Sequence, residues 1–119
     1  MRFELGYGVG FDRNGKALDA QHVAEVQKLI LVEACRRFGG CNILAGQGAW
    51  LDGDNLVVEE SRVLVLDTDA AVGSRPGYQA EIDAHELAQF IGHLLNQKAV
   101  HVVQTIGLRT YNLEVKVYE

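Results

Sequence analysis

The sequence predicts an α+β fold, a two-layer sandwich of order β-α-β-β-α-β with an extra C-terminal strand. Three observations predict it. Five segments carry the period-two alternation or the short apolar runs of β-strands, two segments between them carry helical spacing instead, and turn residues separate nearly all of them.

The first strand is "RFELGYGVGF" (residues 2–11), where Phe3, Leu5, Tyr7 and Val9 alternate with Glu4 and three glycines, leaving one face bare. "DRNG" follows as a turn. Asp19 reads as the N-cap of a first helix, with Leu18 and Val23 placed as a hydrophobic staple. Val23, Val26, Ile30 and Ala34 form its apolar stripe, and Gly39–Gly40 stops it. "CNILAGQGAW", a turn at "DGDN" and "LVVEESRVLVLD" predict a β-hairpin whose loop is somewhat longer than the minimum. Residues 69–81 hold the only proline and no apolar period, which predicts a surface loop. Asp83 and Glu86 then form a capping-box pattern, with Ile82 and Leu87 as a staple, so a second helix is expected to start there. Leu87, Phe90, Ile91, Leu94 and Leu95 mark its buried stripe. "AVHVVQTI" (99–106) is the fourth strand. "RTYNLEVKVYE" (109–119) is the fifth, with Tyr111, Leu113, Val115 and Val117 alternating against Asn112, Glu114 and Lys116. This order is the split-βαβ, ferredoxin-like arrangement, with both helices on one face of an antiparallel sheet.

Such a sandwich needs apolar residues on the helix side of its sheet only. The third strand nevertheless reads Val63-Leu64-Val65-Leu66 without a polar break, and the fourth reads Val100-His101-Val102-Val103. Both faces therefore need cover. A second copy of the chain is the expected cover, giving a homo-oligomer in which a trimer built around open sheet faces is favoured. The alternative is a monomer whose second face is covered by the C-terminal strand and loops.

The 119 residues suit one domain spanning 1–119. A net charge of −5, with 11 scattered basic residues, argues against general nucleic-acid binding, which needs clustered cations to displace counterions. It suits a cationic small molecule or a basic protein patch. No run approaches the ~20 apolar residues that span a bilayer. "MRFELGYG" lacks a signal-peptide core, so a cytoplasmic location without membrane contact is expected. Cys35 and Cys41 lack a CxxC spacing and are expected as reduced thiols.

The candidate site lies in the hairpin. Gly46 and Gly48 flank Gln47, and glycines inside a strand mark a bulge, the commoner case, or a place where a ligand or another backbone approaches. Trp50 is either core or a stacking platform for a cationic or aromatic ligand. Glu59 and Glu60 open an apolar strand and must point to opposite faces, so only one can enter any given pocket. A carboxylate partly withdrawn from water there calls for a cationic partner. His85 and His93 lie eight residues apart, His22 and His101 sit on other elements, and no zinc spacing results, so no metal or cofactor is expected. No GxSxG is present and no hydrolytic triad is suggested.

On these residues the chain resembles two families. One comprises uncharacterised small bacterial proteins with a Gly-x-Gly-x-Trp strand, an Asp-Gly turn, a Glu-x-Ser strand and a helix ending in Gln-x-x-Val. The matching positions are Gly46, Gly48, Trp50, Asp52–Gly53, Glu59 or Glu60, Ser61 and Gln97–Val100. That resemblance implies no activity. The more distant resemblance is to phage S-adenosylmethionine lyases, with a Gly-x-aromatic strand end, a Glu-Glu pair opening the next strand, and a helix leading through Gln into the last core strand. It implies a trimer of ferredoxin-like subunits with sites at subunit boundaries, cleaving S-adenosylmethionine to methylthioadenosine and homoserine lactone. Trp50 stands where that family carries Tyr, and the gap from aromatic to carboxylate differs in length. Under this resemblance Glu60 or Glu59 would be catalytic, gripping the substrate ammonium. Trp50 would face the sulfonium or adenine, and Gly46, Gln47, Gly48 and Ser61 would line the substrate. Tyr111, or else Tyr78, would come from a neighbouring chain. The rival readings are a non-catalytic oligomer that binds a nucleotide-like small molecule or a host protein, as a phage counter-defence factor would, and an interaction module without a ligand.

Overall fold

The structure, a computed structural model, describes residues 1–118. Its elements run β1 (Arg2–Gly8), α1 (Ala20–Phe38), β2 (Asn42–Asp52), β3 (Asn55–Asp67), α2 (Arg75–Leu94), β4 (Ala99–Ile106) and β5 (Arg109–Lys116). The strands form one antiparallel sheet in the order β2-β3-β1-β4-β5. This is the expected ferredoxin-like sandwich, with the extra strand added beside β4. Glu119, the last residue of the expected fifth strand, lies outside the described residues.

Local chemistry explains most element boundaries. The Asp19 carboxylate accepts the His22 N–H at 3.0 Å, satisfying one free amide of the first turn of α1. Gly39 ends that helix at a φ of 81°, donating its N–H to the Cys35 carbonyl. The β2–β3 loop is only Gly53 and Asp54, shorter than expected, and Gly53 supplies the positive φ of 62° that such a tight turn needs.

The start of α2 departs from expectation. Ser74, not Asp83, is its N-cap and accepts the Gly77 N–H at 3.1 Å. Pro76 sits in the first turn, where its missing donor costs nothing, so the proline read as a loop signal belongs to the helix. Asp83 and Glu86 serve α1 instead: the Arg37 guanidinium donates to Asp83 at 2.9 Å and to Glu86 at 2.6 Å, clamping the helices together. A side chain on Gly77 would strike the Ala71 carbonyl, so the close approach of the preceding loop requires glycine there.

Register divides the sheet into two faces. Phe3, Leu5 and Tyr7 pair with Leu66, Leu64 and Arg62, and this face meets the helices. Leu5, Leu64, Leu66, Val100 and Val115 pack there against Ile30 of α1, Leu87 and Ile91 of α2, and Leu95 at the C-cap of α2. Each such burial contributes about 1.5–3 kcal/mol. The other face carries Gly6, Val63, Val65, Leu44, Val103 and His101 in register. β5 continues the sheet beside β4 instead of crossing this face, so the C-terminal strand does not cover it. β2 leaves one edge unpaired, and from Asn42 to Leu51 that edge has no charged side chain. The hairpin tip exposes apolar side chains on both sides, Leu51 at 69% and Leu56 at 66% on one, Trp50 at 48% on the other.

Candidate functional site

Most of the expected residues lie where the end of β1 meets the middle of the β2–β3 hairpin. Gly8 and Gly46 flank Ser61, and in the next row Gly48 flanks Glu59, so a patch of the open face is floored by backbone with one hydroxyl and one carboxylate. The pairing is regular through Gly46 and Gly48, so neither marks a bulge.

The glycines of this patch fall into two groups. A side chain at Gly8 would collide with the Glu59 carboxylate, and one at Gly10 would come within 2.9 Å of Glu59 Cγ. Those two positions are bare because Glu59 lies over them. A side chain at Gly6, Gly46 or Gly48 would meet nothing nearer than 3.5 Å. Packing within the chain does not demand glycine at these three positions, and the bare surface is free for a ligand or a neighbouring backbone.

The paired glutamates divide as strand geometry requires. Glu59 folds towards β1, where its Oε1 accepts the Gly10 N–H at 3.2 Å and the Phe11 N–H at 3.0 Å. It ties β3 to the β1–α1 loop. That loop is held further by Asp12, which accepts the Asn14 and Lys16 amides and the Asn96 side-chain amide. Gln97 adds a bond to the Phe11 carbonyl. The amides around Asp12, that of Lys16 foremost, hold its carboxyl below the usual carboxylate range.

Glu60 points to the helix side, paired with Gln47, and its side chain is 71% exposed. Arg62, two residues on and on the same face, stands 3.9 Å from it. The Arg62 side chain is 22% exposed, and its guanidinium donates to the Ser61 carbonyl at 2.8 Å. Both line a cleft of about 420 Å³ against Val9, Leu18 and Val23. Beside Arg62, the Tyr7 hydroxyl is buried with no hydrogen-bond partner among the described residues, and burial pushes it up to about 12.

Glu59, Ser61, Gly46, Gly48 and Trp50 therefore share the open face, while Glu60 and Gln47 share the helix face. Tyr111 shares the helix face by register but stands apart from Glu60 and Gln47. It lies on β5, three strands from β3, and lines an apolar cleft of about 510 Å³ between α2 and β4–β5. Tyr78 is exposed on the first turn of α2. Arg62 was not singled out from the sequence, although its spacing of two from Glu60 on a strand was the available signal. Cys35 and Cys41 are unbridged thiols, and burial followed by the neighbouring Cys35 raises the Cys41 thiol. Among the described residues, no group of three or more His, Cys, Asp or Glu side chains converges as a metal site, and no helix is long and apolar enough to cross a membrane.

No protein-family model matches the chain, and no curated protein matches it. The resemblance to small bacterial Gly-x-Gly-x-Trp proteins thus finds no support. Among solved structures the chain is similar to a phage S-adenosylmethionine lyase in complex with S-methyl-5′-thioadenosine. That likeness has a TM-score of 0.65 and 18% identity, covering 99% of this chain and 92% of the lyase. It is similar also to a phage S-adenosylmethionine lyase in the apo state, with a TM-score of 0.66, 18% identity, and coverage of 99% and 91%. The chain shares the fold of these lyases.

Proposed function

We propose that this chain is an S-adenosylmethionine lyase-like protein that cleaves S-adenosylmethionine to methylthioadenosine and homoserine lactone at boundaries between identical subunits. The observation that carries the reading is the likeness of fold to a phage lyase along 99% of the chain.

The reaction asks little of a protein in acid–base terms. A substrate carboxylate oxygen attacks the carbon next to sulfur, a C–O bond forms, and the C–S bond breaks with its electron pair passing to sulfur. The sulfonium and carboxylate charges cancel as this happens, so a site drier than water favours the step. Holding the chain folded back supplies the rest, an orientation effect. Glu60, which forms no hydrogen bond among the described residues, grips the ammonium, while Glu59 is committed to two backbone amides. Trp50 offers an indole face to the sulfonium or adenine.

Two observations support assembly. Trp50 and Glu60 lie on opposite faces of one hairpin, so a site using both draws them from two copies. The accessible surface is 7495 Å², whereas a compact monomer of this mass exposes about 6,400 Å². The excess of roughly 1,100 Å² is of the order that one partner buries in a standard interface, about 800 Å². A trimer joined through the open sheet faces is the favoured assembly, with residues 1–119 acting as one domain in the cytoplasm.

Incubating purified protein with S-adenosylmethionine and following methylthioadenosine by chromatography tests the reading. Release is expected, reduced at least a hundredfold by Glu60→Gln. A ligand-dependent rise in melting temperature without release would replace the lyase with a sequestering binder.

A further inference from the structure

Glu60 and Arg62 stand side by side at the mouth of the cleft between β3 and the start of α1, and neither is used up by the fold. Their closest approach, 3.9 Å, is at the outer limit of an ion pair. Arg62 spends Nη1 on the Ser61 carbonyl, while the Nη2 group near Glu60 has no hydrogen-bond partner among the described residues. Behind the two charges the cleft is walled by Val9, Leu18 and Val23 and encloses about 420 Å³, within the range of small-ligand sites. One anion and one cation, adjacent and incompletely satisfied, in front of an apolar recess complement a ligand that has the same features reversed.

We infer that Glu60 and Arg62 form a clamp for the charged head of an α-amino acid with an apolar or thioether side chain, Glu60 taking the ammonium and Arg62 the carboxylate. Arg62 has a guanidinium suited to carboxylates, and its partial burial strengthens the contact. With one Nη1 hydrogen on the Ser61 carbonyl, Arg62 keeps its remaining N–H groups, those of Nη2 nearest Glu60 among them, for the carboxylate. That the ligand is S-adenosylmethionine rests on the lyase reading; the clamp's preference for a zwitterion does not.

The probes are L-methionine and its decarboxylated analogue 3-(methylthio)propylamine, which undergo no lactonisation, titrated by ligand-observed NMR. Methionine is expected to bind the wild-type protein at least tenfold more tightly than the amine. Arg62→Gln brings the two within twofold, and Glu60→Gln weakens both about tenfold. Melting curves establish that each variant is folded, and Arg62→Lys, which keeps the charge, retains part of the discrimination. Equal binding of the two probes, or a preference for methionine that survives Arg62→Gln, would overturn the clamp. Methylthioadenosine release is scored in parallel. Release alongside equal probe binding sinks the clamp and spares the lyase, whereas Arg62-dependent methionine binding without release sinks the lyase and keeps the clamp.

Discussion

On the open face of β3, Glu59 lies over Gly8 and Gly10 with two backbone amides holding its carboxylate. One residue on, across the strand, Glu60 reaches into solvent beside Arg62. The two side chains are identical and adjacent, and the period of two places them in unlike surroundings. Glu59 holds a loop to a strand and is structural in consequence. Glu60 is left for a partner from outside. In a doublet of like residues, the one the fold satisfies is the weaker functional candidate.

Substitutions can break this contrast, and the largest effect is expected at Gly8. Gly8→Ala places a methyl group where the Glu59 carboxylate lies, so the flexible side chain has to swing away and give up the Gly10 and Phe11 amides, at a cost of about 1–3 kcal/mol, read as a lower urea midpoint. An unchanged midpoint would mean that Glu59 leaves β1 freely. Removing the carboxylates comes next. Glu59→Ala strips the Gly10 and Phe11 amides of their acceptor, at a cost of about 1–2 kcal/mol. Glu60→Ala should alter stability by less than about 0.5 kcal/mol. Equal losses at the two positions would remove the distinction.

Tyr7→Phe sharpens the helix-side half of the comparison. Deleting a buried hydroxyl that has no partner is expected to leave stability at neutral pH unchanged or raise it by about 1 kcal/mol. Burial pushes this hydroxyl up to about 12, whereas an unfolded tyrosine titrates near 10. The unfolded chain therefore sheds this proton first, and the wild type loses stability between pH ~10 and ~12. Thermal melts of Tyr7→Phe across that window should show a shallower decline; parallel curves would place the hydroxyl in contact with water. The smallest effect on the isolated subunit is expected from Gly46→Ala, since nothing lies closer than 3.5 Å to the added methyl group. Under the proposed assembly its consequence falls between subunits: sedimentation of the variant should show smaller species than the wild type at the same concentration.

Much of this architecture could be read from residue order, and the failures have physical causes. Asp19, the Val26–Ile30–Ala34 stripe and Gly39 marked α1 fully because cap, face and stop agreed. The start of α2 was misplaced because Pro76 and Gly77 look like loop residues, and their helical role depends on Ser74 as a cap and on Ala71 pressing close. Asp83 and Glu86 imitated a capping box because carboxylates one turn apart also suit a cross-helix grip on Arg37. In the candidate site, strand periodicity separated the two glutamates but could not show which was satisfied. That depends on the Gly10 and Phe11 amides, some fifty residues away in sequence. Arg62 escaped notice because a lone arginine in a strand reads as surface until its partner and its cleft are seen.

The rim formed by β2 has a consequence for handling the protein. Ten successive residues, Asn42 to Leu51, offer free backbone groups with no charge and no proline to repel a stray strand. A chain that stays alone too long is liable to zip onto unrelated strands and precipitate. Any contact that seals this rim, whether another copy or a different strand, guards the protein against that outcome.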